Sequence, residues 1–220
     1  IQTTWEGGRH PVKLAPYSKS MLDTYRNNVV SCLILSSSTA KGTYSVEPGN
    51  TMLYGLAPLP YATGLLPLLL DDEIHLEYLP PVKEAEKMSF SERNKLGFKL
   101  GLKKGIDFFF AVGSVTYYIS SSFAKMGGGG SKKGIKNVFQ YSPALIARYI
   151  SGKKKAAREG RSIAPKDVFR LRGFMCAGTD NRCYKDDLEK LWGIRPVEVF
   201  AGTEPGCLGC ETWARNGLYF

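Results

Sequence analysis

Residues 197–206 read VEVFAGTEPG. Val197, Val199 and Phe200 make a short apolar run of the kind that forms a buried strand. The chain then turns through Ala201 and Gly202 and presents Thr203 and Glu204 side by side. A hydroxyl can bond a phosphate oxygen, and a carboxylate can hold Mg2+, a hard cation that takes oxygen ligands. The aromatic ring just before them offers a face to a flat base. Read locally, the pair has two meanings: groups that meet a nucleotide and its metal, or polar residues at a strand end that face water.

A second stretch of the same chemical kind is TTWEGGRHPVKLAPYS, residues 3–18. Thr3, Thr4, Gly7, Gly8, Pro11 and Lys13 suit a loop whose backbone N–H groups wrap phosphates. Lys13 would supply a point charge and Arg9 a planar fork. The stretch is not the G-x-x-x-x-G-K-[ST] loop, and SGKKK at 151–155 is not one either, because Ala147 stands where the first Gly is required. A third turn, Ala177-Gly178-Thr179-Asp180, follows another apolar run.

Cys176, Cys183, Cys207 and Cys210 are expected in two nearby turns. C-x-x-C is half of a zinc site, but the second half lacks the usual spacing and neither His is close. These thiols therefore read as small buried hydrophobes, reduced and without zinc. No Ser–His–acid order and no paired-carboxylate signature emerges.

The elements that must position these groups alternate. Residues 18–35 have helical spacing at Met21, Leu22, Tyr25, Val29 and Val30, with Ser20 as the expected cap. Residues 51–60 read as a buried strand stopped by prolines. Residues 105–126 read as a strand over 108–112, a Gly113–Ser114 turn, and a helix with Val115, Ile119 and Phe123 on one face. The glycines at 127–130 are expected to end that helix. Ser142 and Pro143 open another helix, residues 169–178 give a strand, 185–193 a short helix closed by Gly193, and 195–200 a further strand. Strands alternating with helices predict an α/β fold with a largely parallel sheet flanked by helices. In such sheets ligands sit off the carboxyl ends of the strands. Segments 3–13, 174–180 and 200–206 are expected together at one edge of it.

Thirty Lys and Arg against 20 Asp and Glu give a net charge of +10, which suits an anionic ligand. Much of the excess lies in 131–136 and 151–161, without the interleaved aromatics of a single-strand platform, so nucleic acid is not an expected partner. Five Cys, an odd number, do not form a disulfide framework and point to a reducing cytoplasm. The most apolar stretch, 52–70, is broken by Pro58, Pro60 and Pro67, and no membrane span is expected.

The order of the pieces resembles the adenylate-forming superfamily of acyl-activating enzymes, nearest to the phenylacetate–CoA ligase-like branch and the auxin-conjugating acyl-acid amido synthetases. The likeness runs from Thr3 to Phe220 in order and spacing. The family's T-S-G-T-T-G-x-P-K phosphate loop is matched by Thr3, Thr4, Gly7, Gly8, Pro11 and Lys13, with Trp5, Glu6 and Val12 departing from it. Its aromatic–Gly–x–Thr–Glu turn is matched by Phe200, Ala201, Gly202, Thr203 and Glu204, and its adenine-side turn by Ala177, Gly178, Thr179 and Asp180.

The resemblance implies adenine stacked on Phe200, Thr203 on phosphate, Glu204 on Mg2+, and Glu204, Thr203 and Lys13 as the residues of catalysis. It implies ATP-dependent activation of a small-molecule carboxylic acid to an acyl-adenylate, then transfer to CoA or an amine. It also implies that 1–220 is part of an adenylation domain, the large N-terminal domain of such an enzyme, with its N-terminal portion and a C-terminal lid outside this chain. Two other classes are open at this point: a nucleotide-binding relative without catalysis, which Trp5 and Glu6 favour, and a basic α/β interaction protein that binds no ATP.

Overall fold

A computed structural model describes residues 1–3, 13–71, 73–128, 143–178 and 181–220, with 124–128 described by backbone alone. Two short strands, β1 (Gln2–Thr3) and β2 (Lys13–Leu14), pair antiparallel as a hairpin. The main sheet holds β3 (Thr51–Gly55), β4 (Glu77–Leu79), β5 (Phe108–Val112), β6 (Gly173–Ala177), β7 (Val197–Gly202), β8 (Gly206–Glu211) and β9 (Leu218–Tyr219). Its order is β4-β3-β5-β6-β7-β8-β9, parallel from β4 to β7 and antiparallel over the last two pairs. The protein is thus mixed α/β with a mostly parallel sheet flanked by helices.

Alternation along the central strands sends side chains to two cores. Met52, Tyr54, Phe108, Phe110 and Met175 face α1 (Lys19–Ser37) and α2 (Leu66–Asp71), meeting Tyr25, Val29, Cys32 and Leu33. Leu53, Phe109, Ala111, Phe174 and Cys176 face the opposite layer. That layer comprises α4 (Phe90–Lys104), α5 (Gly113–Gly128), α6 (Pro143–Arg158) and α7 (Arg182–Trp192), and a one-turn helix, α3 (Val82–Ala85), precedes α4. Phe109 and Phe174 stack at 5.5 Å, and Trp192 packs against Phe109 at 5.2 Å. Strands buried on both faces read as near-continuous apolar runs, which is why FFFAV and GFMCA stand out in the sequence.

Several details differ from expectation. Ser18, not Ser20, caps α1, its Oγ accepting from Met21 N at 3.2 Å, while Ser20 Oγ bonds Ser18 Oγ. Helix α5 begins directly at Gly113 and buries Thr116 and Ser120 together with Phe123. The hydroxyls are tolerated because Ser120 and Thr116 donate to carbonyls one turn back, and Trp192 Nε1 donates to Ser120 Oγ at 2.8 Å. Gly127 and Gly128 continue α5, at the modest cost of Gly in a helix; Gly129, Gly130 and Ser142, the expected start of the next helix, lie outside the described residues. Cys207 and Cys210 lie on β8, Cys176 on β6 and Cys183 in α7, rather than in turns. No described helix is long and apolar enough to cross a membrane.

Candidate nucleotide site

Strand β7 emerges from the core with Val197 and Val199 buried and Phe200 46% exposed. The exposed ring is flanked edge-on by Phe220, whose centroid is 6.0 Å away. Beyond Gly202 the chain turns through Thr203, Glu204 and Pro205 into β8. Gly206 closes this turn at φ 74°, a conformation costly for any residue with a Cβ.

The hairpin β1–β2 reaches this turn. Lys13 Nζ, on β2, makes an ion pair with Glu204 Oε1, and both side chains remain accessible, at 61% and 48% exposure. The Lys13 ammonium and the residue's own backbone amide hold the Glu204 carboxyl below the usual range. Just after β2, the Tyr17 hydroxyl donates to the Thr203 carbonyl. Burial and then the nearby Glu204 charge push the Tyr17 phenol up, so it stays a neutral donor. Thr203 and Glu204 are therefore both held by the 13–17 segment, one through its backbone and one through its side chain.

The expected site residues divide accordingly. Lys13, Phe200, Ala201, Gly202, Thr203 and Glu204 come together at the end of β7. Gly178 follows β6, the neighbouring parallel strand, whose Ala177 pairs with Val199. Its φ of 109° and exposed position leave the backbone open to close approach, and its carbonyl accepts from Asn181 Nδ2 at 3.1 Å. Thr3 is buried at the base of the hairpin, one residue from Gln2, which bonds Pro60 O through its N–H. Thr4, Gly7, Gly8, Thr179 and Asp180 lie outside the described residues. Because β6 and β7 are interior strands, the gathering point is the row of carboxyl ends in mid-sheet, not an edge.

Three features went unnoticed in the sequence. Tyr17 is one; a Tyr four residues after the loop lysine is its only linear trace. The second is the pair Lys185–Glu211, side chains 4% exposed each, behind β7. Glu211 Oε2 also accepts from Glu198 N at 2.9 Å, so the pair pins β7 to β8 and α7. The third is a bulge: Phe200 pairs with Gly209 and Ala201 with Cys207, leaving Leu208 extra. The extra residue turns both Cys207 and Cys210 toward α1, where Cys32 Sγ is 3.6 Å from Cys207 Sγ. Hydrogen bonding with those thiols and burial push the Cys32 thiol far up. Cys32, Cys176, Cys207 and Cys210 are thiols outside any disulfide, and no described group of His, Cys, Asp or Glu is arranged to hold a metal ion.

Two depressions adjoin the strand ends. One, about 170 Å³, lies between the start of α1 and the 205–207 segment, with Tyr17, Tyr25 and Asn28 in its wall. The other is a groove of about 590 Å³ between α4 and α5, running from Ser114 past Val115, Tyr118 and Ile119 opposite Phe90 and Phe98.

No protein-family model matches the chain, and no curated protein matches it in sequence. Solved structures do match in fold. A malonyl-CoA ligase in a ternary product complex with methylmalonyl-CoA and AMP aligns over 97% of this chain, with TM-score 0.52 and 16% identity. ATP-bound MatB from Rhodopseudomonas palustris aligns over 99%, with TM-score 0.52 and 12% identity. An ATP-bound RpMatB-BxBclM chimera gives 0.53 and 12% over 99%. The chain spans about a third of each, 34%, 31% and 31% of their lengths. At this identity the likeness is one of fold: the helix-flanked, mostly parallel sheet is that of the matched part of these ligases.

Proposed function

We propose that this chain is part of an adenylate-forming enzyme, and that the end of β7 is where it binds ATP. The observation that carries the reading is the meeting of Lys13 with Glu204. A loop lysine and a strand-end carboxylate, both accessible, converge beside an exposed aromatic ring at the carboxyl end of a parallel sheet. The phenylacetate–CoA ligase-like branch is our preferred placement within the superfamily.

The residues present fit Mg·ATP. Phe200 has a free face for adenine, the Gly178 and Gly202 backbones allow close approach, and Lys13 and Thr203 would meet phosphate oxygens. Glu204 would hold Mg2+, which supplies Lewis-acid screening of phosphate charge when bound. Lys13 and Glu204 neutralise each other in the free protein, so neither presents an uncompensated charge before the nucleotide arrives.

The reaction we assign is attack of a substrate carboxylate oxygen on the α-phosphorus of ATP. An acyl C–O–P linkage forms and the bond to pyrophosphate breaks; a thiol such as CoA, or an amine, then takes the acyl group. Positioning and electrostatics account for most of such catalysis. The chain's own contribution is to orient the two ends of the nucleotide through Phe200 and the 202–204 turn, which Tyr17 keeps in register. For the acyl part we assign the α4–α5 groove, which has the volume of a small-molecule site. It starts at the end of β5, two strands from β7, or roughly 10 Å at the usual strand spacing.

Calorimetric titration of the full-length protein with ATP, with and without Mg2+, tests this reading. Saturable binding that needs Mg2+ and weakens in Phe200→Ala is expected. No heat in either condition would leave only an interaction protein.

A further inference from the structure

Away from the nucleotide site, a small, partly open pocket of about 20 Å³ lies where β4, α3 and α4 meet the 58–67 segment. Its walls are largely apolar, with Pro58, Pro67, Pro80 and Val82 contributing. Into it come two polar side chains with an atom left unpaired: Arg93, 3% exposed, whose Nε has no partner, and Tyr78, 7% exposed, whose hydroxyl has none. The capping box of α4 places Arg93 there, since Ser89 and Glu92 fix the first turn and leave the next residue pointing inward.

A buried guanidinium without a carboxylate is a costly thing to keep. Among the described residues no acidic side chain pairs with Arg93. Glu86, at the cavity wall, is exposed, and Asp71, which acts on Tyr78 from outside, faces His75 at 3.9 Å. The Phe90 ring lies 5.5 Å from the guanidinium carbon and offsets part of the charge. A water molecule fits the volume and would satisfy the phenol, but it would not balance the cation. What the cavity asks for is a monovalent anion little larger than water, weakly enough hydrated to accept apolar walls.

We propose that Arg93 and Tyr78 form a halide site, holding one chloride-sized anion beneath the 58–67 segment. Sulfate and phosphate exceed the space. The consequence reaches the nucleotide site. Gln2 pairs with Tyr61 and donates its N–H to Pro60 O, so the segment that lines the anion site also carries the base of the β1–β2 hairpin and, through it, Lys13.

Thermal unfolding of the full-length protein in sodium chloride, bromide, formate and gluconate at matched ionic strength tests the proposal. Wild type should gain a saturable rise in Tm with chloride and bromide over gluconate. Tyr78→Phe should keep less than half of it, and Arg93→Met none. Bromide crystals should show an anomalous peak in contact with Arg93 Nε and the Tyr78 hydroxyl, a readout that survives if Arg93→Met fails to fold. Equal Tm in chloride and gluconate, a stronger response to formate than to chloride, or the Glu86 carboxylate or a water in place of the bromide peak would each overturn it.

Discussion

Lys13 and Glu204, 191 residues apart in sequence, close an ion pair at the turn that follows β7. The pairing has a pH signature. Glu204 carries a depressed folded-state pKa, so the pair is intact above the ordinary carboxylate range, about 4.3, and is lost as pH falls through the lower folded value. In Lys13→Met the Glu204 carboxyl should titrate nearer its ordinary range. A 13C titration of labelled glutamate reads this directly; an unchanged Glu204 titration would mean that Lys13 is not its partner in solution.

Lys185 and Glu211 form a different kind of pair, shut away behind the strand that carries Phe200. Removing one member leaves an uncompensated buried charge, so Lys185→Met should cost roughly 3–5 kcal/mol, while Lys185→Met with Glu211→Leu should recover much of it. Urea midpoints measure both. Additive losses in the double variant would show that the pair is not coupled.

Arg161 holds both oxygens of Asp167, at 2.6 and 2.8 Å, and joins the end of α6 to the 165–167 turn. The guanidinium keeps the Asp167 carboxyl below its usual range. Its stabilising effect is therefore present at neutral pH and disappears as pH falls below about 4. Asp167→Asn should be less stable than wild type at neutral pH and should lose less on acidification. Parallel acid limbs for the two proteins would rule this out.

The groove between α4 and α5 gives a specificity test. Val115→Trp should raise KM for bulky acids by about tenfold or more while leaving that for ATP near wild type, because the side chain fills the groove and not the β7 end. Equal changes in both would separate the groove from the acid.

Much of the fold was legible because its central strands are buried on both faces. Phe108–Val112 and Gly173–Ala177 appear as unbroken apolar runs that end at Gly113 and Gly178, while Val197 and Val199 alternate about Glu198 at the start of the next strand. Strands β8 and β9 were hidden: two glycines and the bulge at Leu208 destroy the two-residue alternation of GCLGCE. The inward face of α5 is only partly legible: Phe123 is buried and Ile119 packs on the core as expected, but the face also includes Thr116 and Ser120, whose hydroxyls are satisfied by the local backbone, the Cys176 thiol and a Trp far along the chain. At the site, Lys13, Phe200 and Glu204 carried their chemistry in residue type and spacing. Tyr17 and Glu211 did not, since each acts through a contact that exists only after folding.

Exchange of labelled pyrophosphate into ATP, driven by a panel of aryl and fatty carboxylates with the full-length protein, tests adenylate formation at Glu204 most directly. Wild type should exchange with at least one acid. Glu204→Gln keeps the size and removes the charge, and should slow exchange by roughly a hundred-fold, the effect of losing one charge-assisted contact made in the transition state. Unchanged exchange in Glu204→Gln, or none in the wild type with any acid, would contradict the account.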